Sequence, residues 1–348
     1  MALWLRAFIS RSCRGGPPAG NSTCRAERPL SWVPVSTSVF FGYHMPSFSY
    51  PGVTRERLFD HVARQAQAAE DAGFDLVTVM DHFYQIRGVG AETEPMLEAY
   101  TNLGGIAART SRALLGTLVS GVTYRNPALL AKMVTTLDIV SAGRAVFGIG
   151  AAWNEDEHVG YGFDFPPIGR RMDMLEEALE IAKLMFTEER PSFQGRFYRI
   201  DRALNSPRPI QEGGPKILIG GIGERRTLRM VARFADISNF FSLPLDELRR
   251  KLDVLEQHCA AEGRDSSTII KTVIAPFTLV LNEDQAKAIG DRLPPDAPAS
   301  ARPALPEQAA ELLRSHLDAG FQGFTFRNAN LSTPELIAAA GGLKRLLE

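Results

Sequence analysis

The chain has 348 residues, 45% hydrophobic and 23% charged, with 39 basic against 40 acidic side chains and a formal net charge of −1; this suits one large α/β domain or two smaller ones. The near-neutral balance excludes a broad nucleic-acid surface, which needs clustered Lys and Arg, and no apolar run approaches the ~20 residues of a helical membrane span. Cys13, Cys24 and Cys259 have neither metal spacing nor a disulfide framework, so a reducing, cytoplasmic compartment is expected.

Residues 1–36 stand apart. They carry Arg6, Arg11, Arg14, Arg25 and Arg28 against the single acid Glu27, with Gly15-Gly16-Pro17-Pro18 in the middle. An Arg-rich, acid-poor start fits a transit-type peptide, but the plainer expectation is a disordered extension, with the folded domain spanning 37–348.

From residue 37 the chain repeats one phrase: apolar strand, polar loop, amphipathic helix, glycine turn. A first short strand covers 37–43, and Thr54 opens a helix whose face is Leu58, Phe59, Val62, Ala66 and Ala69, stopped by Gly73. A strand at 75–80 follows, then a helix over 97–109 and a strand over 113–119. Pro127 stands where a first helical turn tolerates it and starts a helix to about 141. Strand 144–149 and helix 171–186 come next. Residues 191–215 break the rhythm and read as an insertion bearing a small hairpin between the fourth helix and the fifth strand. Strands at 216–219, 236–241 and within 269–281 alternate with helices, the last of these being 245–262. The five prolines within 292–306 predict a mobile loop. Helix 307–319, strand 323–326 and helix 334–347 finish the chain. Glu70-Asp-Ala-Gly-Phe-Asp75 and Leu317-Asp-Ala-Gly-Phe-Gln322 are near copies at helix-to-strand junctions.

Eight such units predict a parallel sheet closed into a (β/α)8 TIM barrel. A doubly wound open sheet uses the same units, but no Gly-x-Gly-x-x-Gly follows the first strand. In a barrel, chemistry lies at the C-terminal strand ends. There stand Asp81-His82, Ser120-Gly121 with Arg125, Gly148-Ile-Gly150 through Trp153 and Asn154, and Gly220-Gly-Ile-Gly223. His82 is suited to proton exchange near neutral pH, and Asp81 either orients it, bonds a ligand or caps a loop. The glycine loop offers N–H groups to an anion. Trp153 stacks on a ligand or simply packs. Arg125 binds an anion or bridges a loop to a helix. His44 also faces the mouth, whereas His61, His258 and His316 fall within helical patterns. No His/Cys/Glu cluster has zinc spacing, and serine-hydrolase and Walker signatures are missing.

Gly73-Phe-Asp75, Val79-Met-Asp-His-Phe83, Leu115-Gly-Thr-Leu-Val119 with Tyr124-Arg-Asn-Pro127, Gly148-Ile-Gly-Ala-Ala-Trp-Asn-Glu155 and Gly220-Gly-Ile-Gly223 occur in this order. Together they resemble the bacterial-luciferase-like flavin and deazaflavin oxidoreductases, closest to the coenzyme F420-dependent branch. The resemblance implies a luciferase-like barrel, often dimeric, that moves a hydride between F420 and a small organic substrate. It implies a non-prolyl cis peptide at Leu118-Val119 pressing on the cofactor ring. By carry-over, Asp81 and His82 lie beside the ring with His82 exchanging a proton, Ala151 borders it, and Asn154 with Gly220, Gly221, Ile222 and Gly223 holds the phosphate-bearing tail. An FMN-dependent monooxygenase with a separate reductase, or a non-catalytic flavin-binding barrel, are the alternatives. The glucose-6-phosphate enzymes of this branch carry a catalytic glutamate in the fourth strand loop, where this chain has Ala151, Ala152 and Trp153, so sugar phosphate is not the expected substrate.

Overall fold

Parallel strands need long crossovers, and here each crossover is built on a helix. The computed structural model describes residues 38–347; the extension expected over 1–36 lies outside them. The barrel strands are β1 (Phe40–Met45), β2 (Leu76–Val79), β3 (Leu114–Thr117), β4 (Ala145–Gly150), β5 (Lys216–Gly220), β6 (Ile237–Phe240), β7 (Ile270–Ile274) and β8 (Gly323–Arg327). Each pairs in parallel with the next, and β8 pairs with β1, for example His44 with Arg327. The sheet therefore closes, and the open doubly wound alternative is excluded. Ser120–Gly121 continues β3 past a break and pairs with the end of β4.

Around the barrel run α1 (Arg55–Asp71), α2 (Ala99–Ala107), α3 (Pro127–Val140), α4 (Glu155–Tyr161), α5 (Ile168–Thr187), α6 (Thr227–Phe234), α7 (Leu245–Ala261), α8 (Glu283–Gly290), α9 (Pro306–Asp318) and α10 (Pro334–Leu347). Local chemistry sets several of their ends. Asn126 accepts a hydrogen bond from Ala128 N–H at 2.9 Å, with Pro127 at the first helical position. Gly162, in the left-handed region at φ 72°, ends α4. Among the described residues no helix is long and apolar enough to cross a membrane.

Alternation along the strands builds two apolar layers. Phe41, Tyr43, Val77, Leu115, Phe147 and Phe324 point outward to the helices and belong to the larger core. Leu76, Val146, Leu218 and Ile237 point inward, with Phe40, Leu114 and Ile270 against them, and plug the lower lumen. Higher up, inward positions become small or polar: Gly116, Gly148 and Gly220 on one side, Asn239, Thr272 and Thr325 on the other. Asn239 Nδ2 donates to both threonine hydroxyls at 2.8 Å. The larger side chains that share this level are those of His44 and Arg327, register partners on β1 and β8. A Cβ on Gly148 would lie 1.8 Å from the Thr117 carbonyl oxygen. Gly148→Ala is therefore expected to destabilise the protein by about 1–3 kcal/mol. Gly104→Ala in α2, where a Cβ meets nothing within 4 Å, should stabilise it by about 0.5–1 kcal/mol. Urea unfolding of both variants checks the contrast.

Two segments differ from expectation. The insertion holds the expected antiparallel hairpin, Phe193–Gln194 with Arg199–Ile200, its tip pinned by Glu177, which accepts from the N–H groups of Arg196, Phe197 and Tyr198. The α4 helix before it was not expected, because its sequence carries no apolar stripe. The proline-rich 292–306 segment is not a plain loop. It contains a 3-10 turn at Ala299–Ala301, and Pro303–Ala304 pairs in parallel with Thr278–Leu279. Thr278 and Val280 N–H donate to the carbonyls of Arg302 and Ala304, so this ladder requires no N–H of Pro303.

Candidate active site

His82 follows β2 at the C-terminal mouth, with its side chain only 11% exposed. Its Nδ1 lies 2.6 Å from Glu157 Oε2. Glu157 stands in the first turn of α4 and is fully buried. Its carboxylate also accepts from Phe83 N–H, from Tyr84 N–H at 2.9 Å and from the Tyr124 hydroxyl at 2.8 Å. Burial alone would raise the Glu157 carboxylate, but the bonds from His82, Tyr84 and Tyr124 hold it below the ordinary range. Its stabilising contribution is therefore complete above the ordinary carboxylate range and is lost as pH falls through the lowered folded value. Burial, then the adjacent Glu157 charge, push the Tyr124 phenol well above its usual range, so it remains a donor. A carboxylate facing Nδ1 fixes the tautomer with the proton on that nitrogen and leaves Nε2 free for exchange. The Trp153 ring packs edge-on against the His82 ring with centroids 5.5 Å apart, and is itself 57% exposed.

Asp81 does not orient His82. Its two carboxylate oxygens are held by Arg125, at 2.6 Å from Nη1 and 3.0 Å from Nη2, while Nη2 also meets Glu98 at 2.7 Å. The guanidinium lies over the Tyr100 ring at 5.1 Å. Burial works against the charge of Arg125, but Asp81 and Glu98 more than offset it. Of the two sequence-level readings of Arg125, the structure has the ion pair.

The Leu118-Val119 peptide is cis, as the resemblance implied. The Val119 side chain enters the mouth: Cβ atoms on Gly150 and Gly220 would stand 2.8 Å and 3.2 Å from its methyls. The Gly220–Gly223 loop curves with Gly221 at φ 119°. Gly221 N–H is taken by the Asn239 carbonyl at 3.1 Å, whereas Ile222 and Gly223 N–H have no partner among the described residues. Three residues separate this loop from α6, so its N–H groups act as a loop nest rather than as a helix start. Asn154 precedes α4, and its side chain makes no capping bond. It lines a cavity of about 340 Å³ with Trp153, Tyr84, Gln85 and Gly90. His82 is not among the residues that line this cavity. Ala151 turns its carbonyl to Arg171 Nε at 3.0 Å. His44 points into the lumen, its Nδ1 3.0 Å from Thr78 Oγ1. Burial, then the Arg327 cation beside it, push the imidazole down to about 3, so it stays neutral.

The fold thus gathers His82, Val119, Asn154 and the glycine loop at one mouth and sends Asp81 to Arg125. The residue that sequence reasoning missed is Glu157. One signal was available: an acidic Glu155-Asp-Glu157 run two residues after Trp153 suits a helix first turn. Nothing local marks which of the acids turns inward. Among the other histidines, His158 is buried between Thr123 Oγ1 and the Asn154 carbonyl, each 2.6 Å away. Among the described residues, no group of three His, Cys, Asp or Glu could hold a metal.

An imidazole thus faces a fully buried carboxylate at the mouth of a (β/α)8 barrel. The chain belongs to the family of luciferase-like monooxygenases, whose profile matches residues 39–332. It is 35% identical over 170 residues to an uncharacterized protein of Mycobacterium tuberculosis, covering 49% of this chain and 58% of that one. The chain therefore spans little more than half the length of that relative. It is 28% identical over 325 residues to the F420-dependent glucose-6-phosphate dehydrogenase of Nakamurella multipartita, covering 84% of this chain and 94% of that one. An F420-dependent secondary alcohol dehydrogenase, solved with an F420-acetone adduct, superposes with a TM-score of 0.74 at 18% identity, over 89% of this chain and 99% of that one, a likeness of fold.

Proposed function

We propose that the chain is an F420-dependent oxidoreductase, moving a hydride between the deazaflavin and a small organic substrate while His82 exchanges the accompanying proton. The observation that carries this reading is the His82–Glu157 pair facing the same mouth as Val119 and the glycine loop. Similarity to the F420-dependent dehydrogenase of Nakamurella multipartita supports the choice of cofactor.

The residues fit such a group. Gly116, Gly148 and Gly220 add no side chain to the inner wall, the Val119 side chain stands against Gly150 and Gly220, and the partnerless N–H groups of Ile222 and Gly223 suit a phosphate. The amide of Asn154 is a further candidate for the tail. When bound, the deazaflavin would supply the hydride chemistry. The chain's own part is to orient the reactants, exclude water and deliver or remove a proton at His82 Nε2 while Glu157 holds the ring.

Equilibrium binding of F420 and of FMN to the purified full chain tests the reading. F420 is expected to bind with a Kd of about 1 μM or tighter, and FMN about tenfold more weakly or worse. The opposite preference would make it a flavin-dependent monooxygenase, and binding of neither would leave a barrel without this chemistry.

A further inference from the structure

Arg327 ends β8 as His44 nears the end of β1, and the two are register partners. Phe324 and Phe326 belong to the outer core, so alternation turns Thr325 and Arg327 into the lumen. The Arg327 Nε is sealed from water and has no hydrogen-bond partner. Among the described residues no carboxylate pairs with this guanidinium. His44, its neighbour on β1, is neutral, and Thr325 on its own strand already accepts from Asn239. Burial with nothing to offset it pushes the guanidinium below its ordinary value. Elsewhere in the mouth the pattern is different: Arg125 has two carboxylates, and Arg171 has two carbonyls and the Phe165 ring.

A half-buried cation held without a counter-charge is costly. The sealed Nε cannot be reached by water, and the partial loss of hydration leaves the cation favouring an anion. The guanidinium offers five donors in a planar fork that matches carboxylate and phosphate oxygens. β8, β1 and β2 are adjacent, so Arg327 lies about 10 Å, two strand spacings, from the strand that leads to His82.

We infer that Arg327 is the anchor for an oxyanion, carboxylate or phosphate, on the substrate, so that the substrate is a small organic anion whose reacting carbon is presented towards His82. That the anion belongs to a substrate rests on the oxidoreductase reading; the anion site itself does not.

The test uses the full chain with isotope-labelled histidine and follows the His44 and His82 ring signals by NMR. Acetate and inorganic phosphate, titrated separately, distinguish carboxylate from phosphate recognition. One or both should give a saturable shift of the His44 signals, and Arg327→Met should weaken that binding by about tenfold or more. F420 affinity, measured in parallel, should stay within about twofold. Should the methionine variant fail to fold, Arg327→Lys, which keeps the charge but loses the fork, should bind about threefold more weakly. No saturable shift in the wild type, or one that survives both substitutions, overturns the site. An F420 affinity that falls about tenfold in Arg327→Met assigns the residue to the cofactor and overturns the substrate assignment. Saturable, Arg327-dependent anion binding by a chain that does not bind F420 supports the site while removing the cofactor reading.

Discussion

Glu157→Gln is expected to lower turnover by about 10²-fold, within the range that a positioned acid or base contributes, while leaving cofactor affinity within about twofold. The carboxylate accepts from four donors: His82 Nδ1, two backbone N–H groups and the Tyr124 hydroxyl. An amide of the same shape has one oxygen and presents two N–H donors. At least one of the four partners then faces another donor in a fully buried place, at a cost of about 1–3 kcal/mol. Relief comes most readily from the side chain that can turn, which is His82. The ring loses its fixed tautomer, and Nε2 no longer points reliably at the mouth. A positioning role shows itself by a changed shape of the pH–rate profile and a fall in kcat rather than a rise in KM. A merely structural role would lower the melting temperature and leave the profile of the folded fraction unaltered. His82→Gln gives the comparison: an equal or larger loss of turnover with little change in stability.

Asp81→Ala should lower the unfolding free energy by about 3–5 kcal/mol, the usual effect of stranding one member of a buried ion pair. Asp81 is 1% exposed and Arg125 10%, so the arginine left behind cannot regain full hydration. Glu98, its other partner, is 40% exposed, and Glu98→Gln should cost no more than about 1 kcal/mol. Replacing both members, Asp81→Ala with Arg125→Met, should recover much of the loss, because the stranded charge is gone. Urea unfolding midpoints decide the matter. Unchanged stability in Asp81→Ala, together with lost ligand binding, would show that Asp81 serves the ligand and not the fold.

The strands and most helices were readable because each is a local pattern. Gly73 and Gly143 take φ of 88° and 89°, the left-handed turns that end one helix and admit the next strand. His82, Leu118-Val119 and the Gly220–Gly223 loop follow directly on strands, so the barrel's polarity alone places them at the mouth. The α4 helix and the short ladder at Pro303–Ala304 lack such a pattern and exist because of what they pack against.

The sequence alone determined the alternation of strand and helix and the strand ends at which polar residues collect, while the pairing of β8 with β1 decided closure over an open sheet. The alternation and the strand ends depend on side-chain period and on turn chemistry within a few residues. Only the tertiary structure decided which charges meet. Asp81 adjoins His82 in the chain yet pairs with Arg125, 44 positions on, while His82 takes Glu157, 75 positions on. Arg327, which no local pattern singled out, is left without an anion. Buried charges are matched by distance and desolvation across elements, and adjacent residues at a strand end point to opposite sides, so neighbours in sequence are rarely partners in the mouth.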